Sequence, residues 1–561
     1  MKIVECVPNF SEGRDREKIQ AIVREIESTP GVKLLDVDPG EATNRTVVTF
    51  IGSPEAVKEA AFKAIKKAAE LIDMSQHRGA HPRIGATDVC PFVPVSGVTM
   101  EDCVRLANEL GKRVGEELGI PVYLYEEAAR KPERKNLASI RAGEYEGLPE
   151  KLKDPEWQPD YGPAVFNPKT GATVIGAREF LIAYNINLNT RDRKIAQEIA
   201  SYLRESGRPK KDKNGNIVYD KNGQPVRIPG KFKAVKAVGW YIDEYGIAQI
   251  SINLTNYKIT PPHVIFDEAC RLAEKLGVRV TGSEIVGLVP LEALLIAGRH
   301  YLEKQGKSPG VPEKELVRIA IRSLGLNDIV PFDPAKKIIE YQFAADEKSL
   351  VRMKLDEFAD ELSMDSPAPG GGSVAALCGS LSAALSSMVA NLTVGKKGYE
   401  QEFDRMKQVA VRAQKLKDEL LQAVDRDTRA FNRVMDAYRM PRATEEQAKE
   451  REAAIEEANK EATLVPFSVL EKSLELAELA AETAEHGNKN SVSDAGVAGL
   501  TARSCGLGAY YNVCINLPNI KDEAFRKKTL ARADQLKKKL LKQTDKLEKM
   551  MEKVLHPQGK S

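Results

Sequence analysis

Two of the chain's six histidines, His77 and His81, stand four apart in "SQHRGAHPRIGATDVCPFVP", residues 75–94. On a helix that spacing puts both rings on one face, as a metal pair requires. Gly79 between them and Pro82 directly after argue against a helix. Proline pushes the preceding residue out of the α region, and a short helix with an internal glycine is unfavourable. The stretch is therefore expected to be stiff and irregular. An imidazole with an ordinary pKa near 6.5 takes and gives a proton near neutral pH, and Arg83 and Asp88 are close enough in sequence to orient His81. Two other readings stand beside acid–base work. One is a loop histidine bonded to backbone; the other is a zinc pair with His77, its third ligand Asp73, Asp88 or Cys90.

Further along, "LLQAVDRDTRAFNRV" places Asp425 and Asp427 in a helical pattern. Asp427 lies four before Phe431 and so faces the same way. A carboxyl on a packed helix has a raised pKa and serves as a general acid; the alternative is a surface carboxylate paired with Arg426 or Arg429. A loop rich in Pro, Gly, Asn and Thr spans Gly162, Pro163, Ala164, Val165, Phe166, Asn167, Pro168, Lys169, Thr170 and Gly171. An exposed Phe166 and several backbone amides there would suit a flat heterocycle. "FLIAYNINLNT" puts Asn185, Asn187 and Asn189 on one strand face by the period of two, and Asn253, Asn256, Asn9 and Asn44 occur in other strand-like runs. Either a polar groove between sheets or a water-exposed face accounts for such a row. "PAPGGGSVAAL" offers backbone N–H groups at the start of a small-residue helix, without the Lys-Ser/Thr of a nucleotide loop.

These residues need elements to hold them, and the chain changes character near residue 330. Before it, β-branched runs such as "RTVVTFIG" and "AVGWYIDEYGIAQISINLTNY" alternate with amphipathic helical patterns such as "SPEAVKEAAFKAIKKAAELIDM". Two Asn-Gly pairs in "GRPKKDKNGNIVYDKNGQPVRIPG" signal a surface hairpin. After a connector, almost everything from Arg352 onward reads helical. The expected fold is two α/β subdomains, 1–178 and 179–328, a linker at 329–350, and an all-α domain at 351–561. The 561 residues are too many for one core. A net charge of +3, from 84 basic and 81 acidic residues, gives no reason to expect nucleic acid or an acidic membrane as partner. Seven scattered cysteines without a C-x-x-C read as reduced thiols of a cytoplasmic protein. "MKIVECVPNF" lacks a basic segment followed by an apolar run, so no signal peptide is expected. The uncharged stretch 366–395 is long enough to span a membrane, but its Ser, Gly, Asn and Thr content favours a helix buried among helices.

Several of these stretches together resemble a known family. "VECVPNFSEGRD", "LIDMSQHRGAHPRIGATDVCPFVPV", "IRAGEYEGLPEKL" and "GATVIGAREFLIAYNINLNT" resemble glutamate formimidoyltransferase. "APGGGSVAAL", "VDRDTRAF", "GNKNSVSDAGVA" and "AYYNVCINL" resemble formimidoyltetrahydrofolate cyclodeaminase. Their order in one chain is similar to the bifunctional formimidoyltransferase-cyclodeaminases of histidine degradation. The resemblance implies transfer of a formimidoyl group from N-formimidoyl-L-glutamate to N5 of tetrahydrofolate, then ring closure to 5,10-methenyltetrahydrofolate with loss of ammonia. It implies facing sheets with a tunnel between them and tetrahydrofolate, in polyglutamylated form, as co-substrate. It implies no metal, and a homo-oligomer built from dimers. It places the transferase histidine on His81, the folate loop on Gly162 to Gly171, and the cyclodeaminase aspartate on Asp427. Vertebrate relatives carry Glu where Ala80 stands, and their hairpin after Gly207 is shorter. The rival is a folate-binding scaffold with only one active half.

Overall fold

The computed structural model describes residues 2–41, 43–79, 81–343, 349–365 and 368–556; Ala80 and part of the expected 329–350 linker lie outside them. The chain divides into two compact units, one of Met1–Leu294 with Leu324–Asp346, the other of Leu295–Ser323 with Glu347–Ser561.

The first unit is α/β. Its larger sheet comprises β1 (Ile3–Cys6), β2 (Asn9–Phe10), β3 (Val32–Gly40), β4 (Arg45–Gly52), β5 (Thr87–Ser96), β6 (Val122–Glu126) and β7 (Thr173–Ala177). β3 pairs with β4; β4 pairs with both β1 and β2, which pair in turn with β5; all of these are antiparallel. β5, β7 and β6 then run parallel. Helices α1 (Arg16–Glu27), α2 (Pro54–Leu71) and α3 (Met100–Leu118) cover one face. Their caps are written in the sequence: Asp15 accepts from Glu17 and Lys18 amides, Pro54 opens α2, and Thr99 with Asp102 forms a capping box. The core lies between, with Val4, Cys6, Phe50, Phe92, Leu106 and Ile175 fully buried.

The opposite face is covered only in part. A second cluster of Ile84, Tyr123, Tyr125, Ile140, Leu148 and Val174 forms where α4 (Leu137–Arg141) and α5 (Glu144–Lys151) fold over it. The smaller sheet joins β8 (Ile182–Leu188), β11 (Val235–Ile242), β12 (Ile247–Leu254) and β13 (Val280–Val286) in the antiparallel order β11-β12-β8-β13. Helices α6 (Arg193–Leu203) and α7 (Pro262–Lys275) lie along it. Two short strands, β9 (Arg208–Pro209) and β10 (Arg227–Ile228), tie the base of the 207–230 excursion. Asp212 and Asp220 each accept two backbone amides at its Asn-Gly turns, so the expected surface hairpin is a pair of turns on one stalk.

The second unit is helical. It takes α8 (Leu291–Lys304) from Leu295 onward and α9 (Glu313–Ser323); α10 (Pro334–Lys337) and α11 (Ile339–Phe343) stay with the first. Then come α12 (Leu355–Ser363), α13 (Gly371–Thr393), α14 (Phe403–Arg439), α15 (Glu445–His486), α16 (Val492–Asn516) and α17 (Glu523–Leu555). The units are therefore discontinuous in sequence. The cause is local: the Gly310 carbonyl accepts from Asn391 Nδ2 at 2.7 Å and Ser387 Oγ at 3.3 Å, both on α13. Among the described residues α13 alone is long and apolar enough to cross a membrane. It packs between α14 and α16, where Ser382 donates to the Ala498 carbonyl at 2.7 Å and Ser380 to that of Lys417 at 3.1 Å. Small residues admit those neighbours closely, as in a core helix.

Candidate active site

The stretches Met74–Gly79 and His81–Ala86 are irregular, as Gly79 and Pro82 require. His77 is buried and has both nitrogens occupied: Nε2 donates to the Asn44 carbonyl at 2.9 Å and Nδ1 accepts from Arg83 Nε at 3.2 Å. No lone pair remains for zinc, so the metal-pair reading fails on this ring. Asn44 itself is a hub. It sits in the left-handed region, accepts from Gly13 N at 2.9 Å and donates to the Arg78 carbonyl at 3.0 Å. Its asparagine thus shapes the loop rather than facing a ligand.

His81 is half-buried. Its Nε2 meets Arg45 Nη1 from the start of β4, and its Nδ1 is buried without a partner. Neither group expected to orient it does so directly. Arg83 turns away to His77, Glu144 and Glu146. Asp88 is fully buried, accepts Ile84 N at 2.9 Å and pairs with Arg141 from the end of α4. Burial, then Arg45, then Arg141 hold the His81 imidazolium below its usual 6.5. The ring is accordingly neutral at pH 7, with a basic nitrogen to offer.

The Gly162–Gly171 loop runs beside this stretch. Met74 N donates to the Lys169 carbonyl at 2.9 Å, Ala86 N to that of Thr170 at 2.8 Å, and Ala172 N to that of Ile84 at 3.0 Å. Gly162 and Gly171 have φ of +79° and +64°, where a side chain is strained. Asn167 Oδ1 accepts Lys169 N at 3.0 Å and Thr170 N at 3.3 Å, closing the turn. Pro163, Ala164 and Pro168 are exposed and Val165 is 67% exposed. Phe166 differs from its expected exposure: it is half-buried against Tyr145, ring centres 5.4 Å apart.

Beyond these groups lies a cavity of about 410 Å³ lined by Glu5, Asp36, Thr49, Arg178, Ala183 and Lys336 among others. Glu5 is 4% exposed and its pKa is pushed up to about 7 by burial, against the pull of Arg178. Glu5 pairs with Ile51 on β4, six residues past Arg45, so the cavity and His81 are separated by about 20 Å of strand. The asparagine row divides. Asn187 is held by Asp328 at 2.9 Å and Gln249 at 2.7 Å, Asn189 accepts Arg279 N at 2.7 Å, and Asn253 is exposed.

In the helical unit, Asp427 on α14 meets the N-terminus of α13. Ser373 Oγ lies 3.2 Å from Asp427 Oδ2 and 3.0 Å from the Val424 carbonyl. A hydroxyl has one proton; given to the carbonyl, it leaves its oxygen free to accept from a protonated Asp427. Burial raises the Asp427 pKa, partly offset by the Ser373 hydroxyl and backbone N–H. Asp425, two residues earlier, accepts from Ser349 Oγ at 2.5 Å and Leu350 N at 2.8 Å and serves the local fold. Asp494 lies on α16 eighteen residues before Asn512, which is the neighbour of Gly371, so it stands about 27 Å from this site.

Families described as "Formiminotransferase domain, N-terminal subdomain", "Formiminotransferase domain" and "Formiminotransferase-cyclodeaminase" match residues 3–178, 183–344 and 354–535. The formimidoyltransferase-cyclodeaminase of Mus musculus is 46% identical over 538 residues, 95% of this chain and 96% of its own. The chain belongs to the formimidoyltransferase-cyclodeaminase family. The glutamate formimidoyltransferase of Thermoplasma acidophilum is 46% identical over 57% of this chain and 99% of its own length. The methenyltetrahydrofolate cyclohydrolase of Methylorubrum extorquens is 41% identical over 32% of the chain and 88% of its own. A crystal structure of formiminotetrahydrofolate cyclodeaminase from Thermotoga maritima matches 36% of the chain and 98% of its own, at 34% identity and a TM-score of 0.33. Residues of this family member that the motifs did not single out are Arg45, Arg141, Glu5 and Ser373. Glu5 carried a signal, as an acid in an otherwise apolar strand; the arginines looked like ordinary surface charges.

Proposed function

We propose that the first unit transfers the formimidoyl group through His81 and that the helical unit closes the ring through Asp427. The chain is a bifunctional transferase and lyase of histidine and one-carbon folate metabolism. In the first step N5 of tetrahydrofolate attacks the amidine carbon, His81 takes the N5 proton, and the same ring returns a proton to the glutamate nitrogen as the C–N bond breaks. Glutamate leaves and N5 carries the formimidoyl group. In the second step N10 attacks that carbon and its proton passes to the amidine nitrogen, Asp427 gives that nitrogen its third proton, and ammonia departs to leave the 5,10-methenyl cation and the Asp427 carboxylate. Neither step routes through a metal.

The observation that carries the first assignment is the His81 ring, held toward its neutral form, on a stretch whose two ends, Met74 and Ala86, are bonded to Lys169 and Thr170 of the Gly162–Gly171 loop. That loop is the proposed support for the folate pterin. The folate tail would run along the sheet toward Arg178, Lys336 and Lys337, whose charge suits polyglutamate. The helical unit exposes Leu381, Met388 and Leu392 on α13 and Leu500, Tyr511 and Ile515 on α16, an apolar surface that suits a dimer as the unit of a larger homo-oligomer. Seven cysteines, none of them in a disulfide, suit the cytoplasm. The test is a pair of variants given formimidoylglutamate, tetrahydrofolate or preformed 5-formimidoyltetrahydrofolate. His81→Ala is expected to lose about 10²–10⁴-fold in glutamate release while still cyclising the preformed intermediate, and Asp427→Asn to do the reverse. A folded His81→Ala chain that transfers at the wild-type rate removes His81 from the mechanism.

A further inference from the structure

Three charged groups, Arg45, Arg141 and Asp88, meet beside His81, and one of them has no ion-pair partner among the described residues. Arg45 is half-buried and has no carboxylate within 4 Å among the described residues; its guanidinium rests on His81 Nε2. Arg141 has a side chain 15% exposed, pairs with Asp88, and keeps a buried Nε with no partner. Asp88 has one oxygen occupied by the Ile84 amide. The carboxylate in contact, Asp88, serves Arg141, while Asp88 and Asp38 act on Arg45 only from beyond ion-pair distance, so the Arg45 guanidinium has the His81 ring and no carboxylate against it. A half-buried guanidinium with no carboxylate in contact is costly, and its N–H groups have no acceptor role to fall back on. What completes such a site is an acceptor-only anion of carboxylate geometry.

We propose that Arg45 and Arg141 form a carboxylate subsite that takes the α-carboxylate of the formimidoyl donor. The assignment rests on the transferase reading above. Both substrates carry carboxylates, but only one is attached to the carbon that bears the departing nitrogen. Anchoring that group beside His81 brings the nitrogen to the ring that must protonate it. The folate tail carboxylates are separated from N5 by the whole p-aminobenzoyl unit, and the donor's γ-carboxylate by two further carbons. The subsite also explains why Arg45 lies on Nε2. In this arrangement the guanidinium covers the basic lone pair. A carboxylate is the stronger acceptor, so the arriving donor draws Arg45 off and uncovers the base. The ring thus becomes competent when the group it must protonate is in place.

The experiment compares three donors on the full-length chain: N-formimidoyl-L-glutamate, the 4-aminobutyrate derivative that lacks the α-carboxylate, and the L-2-aminobutyrate derivative that lacks the γ-carboxylate. The wild-type chain is expected to lose at least about 10-fold in kcat/KM with the 4-aminobutyrate derivative relative to the 2-aminobutyrate one, the range of a charge-assisted bond. Arg45→Ala is expected to lose about 10–100-fold with formimidoylglutamate, to leave the KM for tetrahydrofolate in place, and to abolish the preference between the two truncated donors. Arg45→Lys keeps the charge without the fork and is expected to restore part of that preference. The analogue comparison needs only wild-type protein, so a poorly folding variant does not shelter the idea. Equal use of both truncated donors by the wild-type chain overturns it. So does a preference for the 4-aminobutyrate derivative, which assigns the site to the γ-carboxylate. A variant whose only change is a raised KM for tetrahydrofolate gives the arginines to the folate tail and also overturns it. A wild-type chain that releases no glutamate from formimidoylglutamate at all fails the transferase reading itself, and is recognised by the absence of turnover with every donor.

Discussion

Gly372→Ala is the sharpest perturbation available at the proposed cyclodeaminase acid. A Cβ placed on Gly372 would lie 2.2 Å from Asp427 Oδ1 and 2.6 Å from both Cγ and Oδ2. Ordinary contact needs roughly 1 Å more, so the carboxyl or the first turn of α13 must move by about that amount. Asp427 is a short side chain on the interior of a long helix, and its partner Ser373 is the next residue after the new methyl. The overpacking is expected to cost ~1–3 kcal/mol of stability. A displacement of about 1 Å at a reacting group costs on the order of 10²-fold in rate. Cyclisation of supplied 5-formimidoyltetrahydrofolate, followed by methenyl absorbance and ammonia together, is therefore expected to fall by about 10²-fold, while glutamate release by the first unit continues. The neighbour supplies the control. A Cβ on Gly371 finds Asn512 Nδ2 at 3.4 Å, an ordinary contact, and Gly371→Ala should cyclise normally. If Gly372→Ala cyclises within a few-fold of wild type, the carboxylate does not act from where it sits. If Gly371→Ala loses as much, the loss belongs to the helix terminus and not to Asp427.

Three further outcomes follow from the titrating groups. Glu5 is raised from 4.5 to about 7, so the folded chain holds a proton that the unfolded chain has lost between those values, and stability is lost as pH rises through them. Glu5→Gln should therefore stabilise the transferase unit by up to ~3 kcal/mol at pH 8 and by almost nothing at pH 4, read from urea midpoints at both; equal effects at both would contradict it. His81 is lowered below 6.5, so its base form persists at pH 6.5 and transfer should fall only below that value. Asp427 is raised above 3.8, so cyclisation should fall as pH increases through the raised value. If both half-reactions fall toward low pH, Asp427 is refuted as the acid; if both fall toward high pH, His81 is refuted as the base.

What could be read from the residues was mostly what depends on neighbours in sequence. Pro82 and Gly79 force an irregular stretch whatever the fold does, and the loop at His81 is irregular. Caps, Asn-Gly turns and the switch to helices near Arg352 are local in the same sense. Reach across the fold was hidden. His81 is flanked by Arg45 and Arg141, 36 residues before it and 60 after; Arg83 and Asp88, the near neighbours, serve His77 and Arg141 instead. The helices 295–323 look like their α/β predecessors, and it is tertiary packing, with Gly310 against α13 and α14, that assigns them to the helical unit. The asparagines misled for a related reason: Asn44 and Asn187 serve the backbone and other side chains, and an amide that completes a network has the same letter as one that meets a ligand.

The two proposed catalytic groups are tuned by one cause acting with opposite sign. Burial disfavours charge, so it lowers an imidazolium and raises a carboxyl; it is the leading influence on both His81 and Asp427. Each group is thereby shifted toward its neutral form, but neutrality means different chemistry. A neutral imidazole has a lone pair to take the N5 proton, which is the first demand of the transfer. A neutral carboxyl has a proton to give, which is the demand of a departing ammonia. The surroundings push further in the required direction at the histidine, where two arginines oppose protonation. They push back at the aspartate, where Ser373 and the start of α13 stabilise the anion left after the proton is given. A histidine at the second site would be held as the free base and a carboxyl beside Arg45 would be held ionised. The acid–base roles proposed for the two units therefore follow from where each side chain is buried and which charges surround it.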